Sequence, residues 1–179
     1  WVQILASAPK MKKNIFINIY LVLTICLLSR LVAAFYLSDT RIDNEWGKLV
    51  HNLSTVGILG INVFDGFSVS HAFAQVNERV LPSIFMPPLY AYFVYVIKLF
   101  SQNALELVKI IIAIQIIISL LSTYIFFKIA KNFTNYKFSI LFSTIFCLFP
   151  INIYSVTQIS SVTLQIFLLL FYIFFFIEF

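Results

Sequence analysis

Long apolar runs broken by short polar stretches set the pattern of this chain. The first run, Ile15–Leu37, would rise about 34 Å as a helix, enough to cross a hydrocarbon core of about 30 Å. From Ile42 the pattern changes. Ile42, Trp46, Leu49, Val50, Leu53 and Val56 recur at the spacing of one helix face, while Asp43, Asn44, Lys48, His51, Asn52 and Thr55 fall mostly elsewhere. This predicts a charged amphipathic helix in the interface plane, with Trp46 at headgroup level and Gly57 as its C-cap. Ile58–Leu81 reads as a loop. Pro88 suits the first position of the next helix, an apolar run over Leu89–Phe100. Leu105–Phe127 is a second full span. Phe138–Phe149 runs to Pro150, which ends or kinks it, and Ile159–Ile177 is a last apolar helix.

The expected fold class is all-α: a polytopic transmembrane helix bundle with an amphipathic interfacial helix in the first outer loop. Residues 1–13 form a cytoplasmic N-terminus or extension, 14–37 the first transmembrane helix, 38–87 the outer loop and 88–179 further helices of one membrane domain. Composition supports lipid as the solvent. The 179 residues are 61% hydrophobic and 11% charged, against roughly 25% charged in soluble domains. The net charge of +5 comes from singly spread cations, with no basic stripe for nucleic acid.

Charge also orients the chain. Lys10, Lys12 and Lys13 precede the first span and place its N-terminus in the cytoplasm, so Asp39–Gly60 emerges outside. The later lysines leave one choice open. If Met86–Phe100 crosses the membrane, Lys128, Lys131 and Lys137 fall outside, against the positive-inside rule; if it lies at the interface, they fall inside.

Candidate chemistry concentrates in Asp39–Gly60, which holds three of the seven acidic residues and one of the two histidines. Asp43 reads as an N-cap or as a general base within reach of an acceptor hydroxyl. Glu45 complements the helix dipole. Arg30 either snorkels to the interface or faces the bundle interior as a ligand cation. His51 and His71 are lone histidines outside any metal-binding motif. Cys26 and Cys147 read as buried free thiols.

The order of these features resembles the N-terminal part of a GT-C superfamily glycosyltransferase, akin to the protein O-mannosyltransferases and the aminoarabinose transferase. The residues that carry the resemblance are Asp43, Glu45, Trp46, Asn52, Leu53 and Gly57 in the first loop, then Pro87-Pro88-Leu89-Tyr90, then Pro150 and Tyr154. That family implies a polyprenyl-phosphate-linked sugar as donor, inverting transfer to a hydroxyl of an acceptor lipid, glycan or protein, and a multi-pass place in the cell (inner) membrane. Carried over, Asp43 is the catalytic base and Glu45 shapes the acceptor or metal site, with a divalent cation as the candidate cofactor. Donor and acceptor binding would fall to Arg30, Arg41, Lys48, Arg79, Pro87 and Pro88. The resemblance also favours a short crossing by Met86–Phe100.

A transporter or flippase using Arg30 and Lys109 as intramembrane contacts is the rival reading. A structural subunit docking through the outer helix is a third. An isolated chain of these residues is expected to be inactive, because a cavity for a lipid phosphate needs helices on all sides.

Overall fold

The computed structural model describes residues 11–42, 45–64, 78–82 and 86–178, with the backbone alone described over 11–18, 61–64 and 78–81. In chain order the elements are α1 (Met11–Leu37), α2 (Glu45–Thr55), β1 (Gly60–Phe64), β2 (Glu78–Pro82), α3 (Pro88–Lys98), α4 (Ala104–Phe133), α5 (Tyr136–Leu148), α6 (Pro150–Thr157) and α7 (Val162–Glu178). They gather into two compact units. One comprises the chain up to Ser38, Ile112–Gln158 and the residues from Val162 onward; the other comprises Asp39–Ile111 and Ile159–Ser161.

The first unit is a helical bundle. The Ile19–Leu37 part of α1 and the whole of α4 are each long and apolar enough to cross a membrane; α5 and α6, bent by 47°, make a third span if taken as one broken helix. Its surface is inverted relative to a water-soluble protein. Leu28, Leu31, Phe35, Leu169, Tyr172 and Phe176 are exposed, while Ser119, Ser122, Thr123, Ser139, Ser143, Thr157 and Thr163 are buried. A chain folded in water places such residues the other way round; lipid is the solvent that suits this surface. Inward hydroxyls cost little here because they bond their own helix. Ser122 donates to the Ile118 carbonyl (2.8 Å), Thr123 to Ser119 (3.0 Å) and Ser143 to Ser139 (2.7 Å).

Helices α1 and α4 are antiparallel. Cys26 meets Thr123 at 3.4 Å and Arg30 meets Ser119 at 2.6 Å, and nearer the start of α1, Ile19 and Leu23 share a cavity wall with Phe127 and Lys131. The chain therefore leaves α1 and enters α4 at the same end. Helix α3, at 11 residues, rises only about 16 Å, half of a crossing. The end of α4 that carries Lys128 and Lys131 packs near Ile19–Leu23 of α1.

Pro150 breaks the third span, and its consequence explains Arg30. A proline has no N–H to give the carbonyl four residues back, here Phe146. The Asn152 carboxamide donates to that carbonyl instead (2.9 Å). One residue on, the Cys147 carbonyl accepts from Arg30 Nη1 (3.1 Å). A guanidinium at a helix C-terminus also complements the negative end of the dipole.

The second unit has an apolar core between α2 and α3, while Leu89, Tyr92, Val96, Leu99 and Phe100 stay exposed. Trp46, Leu49 and Val50 of α2 are buried with Tyr90, Ala91, Val94 and Ile97 of α3, while Glu45, Lys48, His51 and Ser54 are exposed. The Trp46 and Tyr90 rings meet edge to face with centroids 4.7 Å apart. Trp46 is therefore a buried anchor between α2 and α3. Gly47 is required where Ile42 folds back, since a methyl there would collide with the Ile42 carbonyl oxygen. Gly57 ends α2 with φ +75°, as a C-cap does. The stretch expected as a loop instead contains a short hairpin: β1 and β2 pair antiparallel, with Gly60 opposite Pro82 and Phe64 opposite Glu78. Pro82 sits at the end of its strand, where its missing N–H costs least.

Candidate functional site

The second unit holds a cleft of about 340 Å³, within the size range of small-molecule sites. Ile42, Gly47, Val50, Ala104 and Leu107 form its apolar wall; His51, Lys98, Ser101, Gln102 and Asn103 supply its polar atoms. Three local structures shape it. Helix α2 is fixed on α3 by the Trp46–Tyr90 contact and on the start of β1 by Asn52, whose Nδ2 donates to the Gly60 carbonyl at 2.9 Å. Lys98, in the last turn of α3, donates from Nζ to Ser54 Oγ of α2 at 2.7 Å. The start of α4 is held by a reciprocal cap. Asn103 Oδ1 accepts from the Glu106 N–H (2.8 Å), and Glu106 Oε2 accepts from the Gln102 N–H (2.7 Å).

The residues expected to carry function divide among several places. Asp43 lies outside the described residues. It is flanked in sequence by Ile42, which lines the cleft, and it is followed by Glu45, exposed at the start of α2. Arg41 and Lys48 are exposed and neither lines the cleft. The Arg79 backbone pairs with Val63 in the hairpin; its side chain is outside the described set. Pro87 is the residue before α3 and Pro88 opens the helix, as the sequence pattern implied. His71 also falls outside the described residues.

Arg30 occupies a different centre, inside the bundle. It is completely buried. Its Nε donates to Ser119 Oγ (2.6 Å), and its Nη1 donates to the Cys26 and Cys147 carbonyls (3.2 and 3.1 Å) and to Ser29 Oγ (3.3 Å). Nη2 has no hydrogen-bond partner among the described residues. The interior alternative for Arg30 is thus the one observed, but its donors tie α1 to α4 and α5. Lys109, paired with Arg30 in the transporter reading, is exposed.

Two residues of the cleft carried little signal in the sequence. Lys98 read as one more cation near a helix end, and His51 as a lone polar histidine. Only the packing of α2 on α3 brings them to one opening. Among the described residues no three His, Cys, Asp or Glu side chains come together, and Glu45 is the carboxylate at the start of α2.

Comparison with protein-family models, with curated proteins and with solved structures gives no match.

Proposed function

We propose that this chain is part of a membrane glycosyltransferase that moves a sugar from a polyprenyl phosphate to an acceptor hydroxyl, with the first loop on the extracytoplasmic side. One observation carries the reading. Ile42 and Gly47 both line the cleft, so the segment joining them, which carries Asp43 and Glu45, begins and ends at its wall. The general base of this reading is a carboxylate of that stretch, adjacent in sequence to the cleft-lining Ile42.

In this reading Asp43 accepts the proton of the acceptor hydroxyl as its oxygen attacks the anomeric carbon. The bond from that carbon to the phosphate oxygen breaks, and the lipid phosphate leaves as the anion. Cations set in place before reaction stabilise that anion in a water-poor cleft. Glu45 orients the acceptor. The orientation follows from the lysines: Lys12 and Lys13 open α1, and Lys128 and Lys131 lie toward the end of α4 that packs near Ile19–Leu23. The positive-inside rule puts that end in the cytoplasm and the entry of α4 outside.

The test uses the protein expressed from its complete reading frame in membranes, with release of labelled sugar from a polyprenyl phosphate donor as the readout. Asp43→Asn keeps shape and capping ability but removes the base, and should abolish transfer at unchanged membrane level. Glu45→Gln should be milder. Normal turnover by Asp43→Asn would remove the assigned base.

A further inference from the structure

We infer that the cavity between α1 and α4, where Lys128 and Lys131 lie, is a site for an anionic phospholipid of the bilayer, its headgroup on the two lysines and its first methylenes on the apolar lining. Charge is the first ground. Of the seven acidic residues only Glu178 falls in the segments that make up the bundle, against seven Lys and Arg. Glu178 does not line the cavity; it accepts from Asn132 Nδ2 at 3.2 Å. Residues 1–18 bring Lys10, Lys12 and Lys13 and no acid. The bundle therefore sets no carboxylate of its own against Lys128 and Lys131 in this cavity, and basic pockets of this kind between spanning helices attract anionic headgroups.

The lining gives the second ground. Ile19, Leu23 and Phe127 supply its apolar part, in a space of about 140 Å³. Lys128 and Lys131 are three residues apart on α4 and so share a face. Lys128 Nζ sits over the Tyr124 ring, 5.7 Å from its centroid, a contact that holds the ammonium without neutralising it. Lys131 is exposed. A free phosphate would leave the apolar part uncovered, whereas a lipid covers it with its own chain. A zwitterionic lipid would bring another cation up against the two lysines. Depth is the third ground. Lys131 lies two residues before the end of α4, and Ile19 opens the apolar span of α1. Tyr20 and Tyr124, both exposed, also line the cavity, and tyrosines favour the headgroup level.

None of the residues assigned to the sugar donor or the acceptor lines this cavity. The site rests on the membrane placement of α1 and α4 and holds whether or not sugar is transferred.

The experiment follows labelled dioleoyl-phosphatidylglycerol bound to the whole protein in mixed micelles, with unlabelled competitors. Dioleoyl-phosphatidylcholine should need at least about tenfold more than unlabelled dioleoyl-phosphatidylglycerol to displace the label, and inorganic phosphate at the same concentration should not displace it. Replacing both lysines, Lys128→Gln with Lys131→Gln, should bring the two lipids to within about twofold of each other, and the double arginine replacement should keep the preference. Lys137→Gln, outside the cavity, should leave it unchanged. Equal competition by the two lipids on the unmodified protein would overturn the assignment. So would displacement by inorganic phosphate, or an equal loss in the Lys137→Gln protein, which would mark a diffuse field in place of a site. Should the double glutamine variant fail to fold, the competitors on the unmodified protein still decide, and Lys131→Gln alone, at an exposed position, should lower the preference several-fold.

Discussion

The two units of this protein bury different kinds of side chain. In the bundle, hydroxyls and a guanidinium are buried beside an apolar core around Val22, Cys26 and Phe127, and many leucines and aromatics cover the surface. In the α2–α3 unit, the aromatic and aliphatic side chains Trp46, Leu49, Tyr90 and Val94 are inside, and Glu45, Lys48 and His51 are outside. The difference reflects what each surface must satisfy. Against lipid, apolar burial gives no driving force, so packing and internal hydrogen bonds hold helices together. Where water wets one face, burial of the other face is the main source of stability. Each unit therefore has its own weak points.

The largest expected effect is in the α2–α3 unit. Trp46→Ala removes the ring that meets Tyr90 edge to face and should destabilise that unit by about 4 kcal/mol, as buried Trp truncations do. Hydrogen exchange on the whole protein checks it region by region. Amides of α2 and α3 should lose protection, while those of α1 and of α4 beyond Ile112 keep theirs. Equal loss in both regions would mean the units do not unfold separately.

A paired substitution tests the solvent assignment directly. Leu28, central in the Ile19–Leu37 span, and Val56, just past α2, are both exposed apolar residues. A lysine at the centre of a spanning helix costs about 3 kcal/mol of insertion; an exposed site in water tolerates the same change within about 0.5 kcal/mol. Leu28→Lys should sharply lower the membrane-inserted fraction, read by carbonate extraction, and Val56→Lys should leave it unchanged. Equal tolerance at both positions would remove the lipid-facing reading of α1.

That pair also shows why some of the molecule was legible in advance and some was not. The spans, the face of α2 and the Gly57 cap follow from local rules of length, period and backbone freedom, and the sequence carries them openly. Asn52 read as a polar-face residue because periodicity sees only the helix. Its burial depends on Gly60, whose carbonyl it meets only after the chain turns back. The β1–β2 pairing escaped notice because neither five-residue strand shows a long alternation and the partners are far apart in sequence. Lys98 and His51 looked ordinary for the same reason: a cleft belongs to packing between α2, α3 and α4. Arg30 left two alternatives in the sequence, and the deciding fact was the break at Pro150 more than a hundred residues later.

The smallest expected effect probes that break. Asn152 Nδ2 donates to the Phe146 carbonyl at 2.9 Å, the acceptor that a residue other than proline at position 150 would satisfy through its own N–H. Removing the carboxamide by Asn152→Ala leaves that carbonyl underbonded. In a membrane bundle such a side-chain bond is worth about 1 kcal/mol, because helices released in lipid find other partners. The loss should show as a modest fall in thermal midpoint in mixed micelles. Pro150→Ala supplies the missing N–H and favours a straighter continuation of α5 into α6. In that background the carboxamide is no longer needed, so Asn152→Ala should cost close to nothing, and a double-mutant cycle should report coupling of about 1 kcal/mol. If the two changes are additive, the carboxamide is not standing in for the proline's missing donor, and the bend must be held by the Arg30 bond to Cys147 and the packing of α6 on α1.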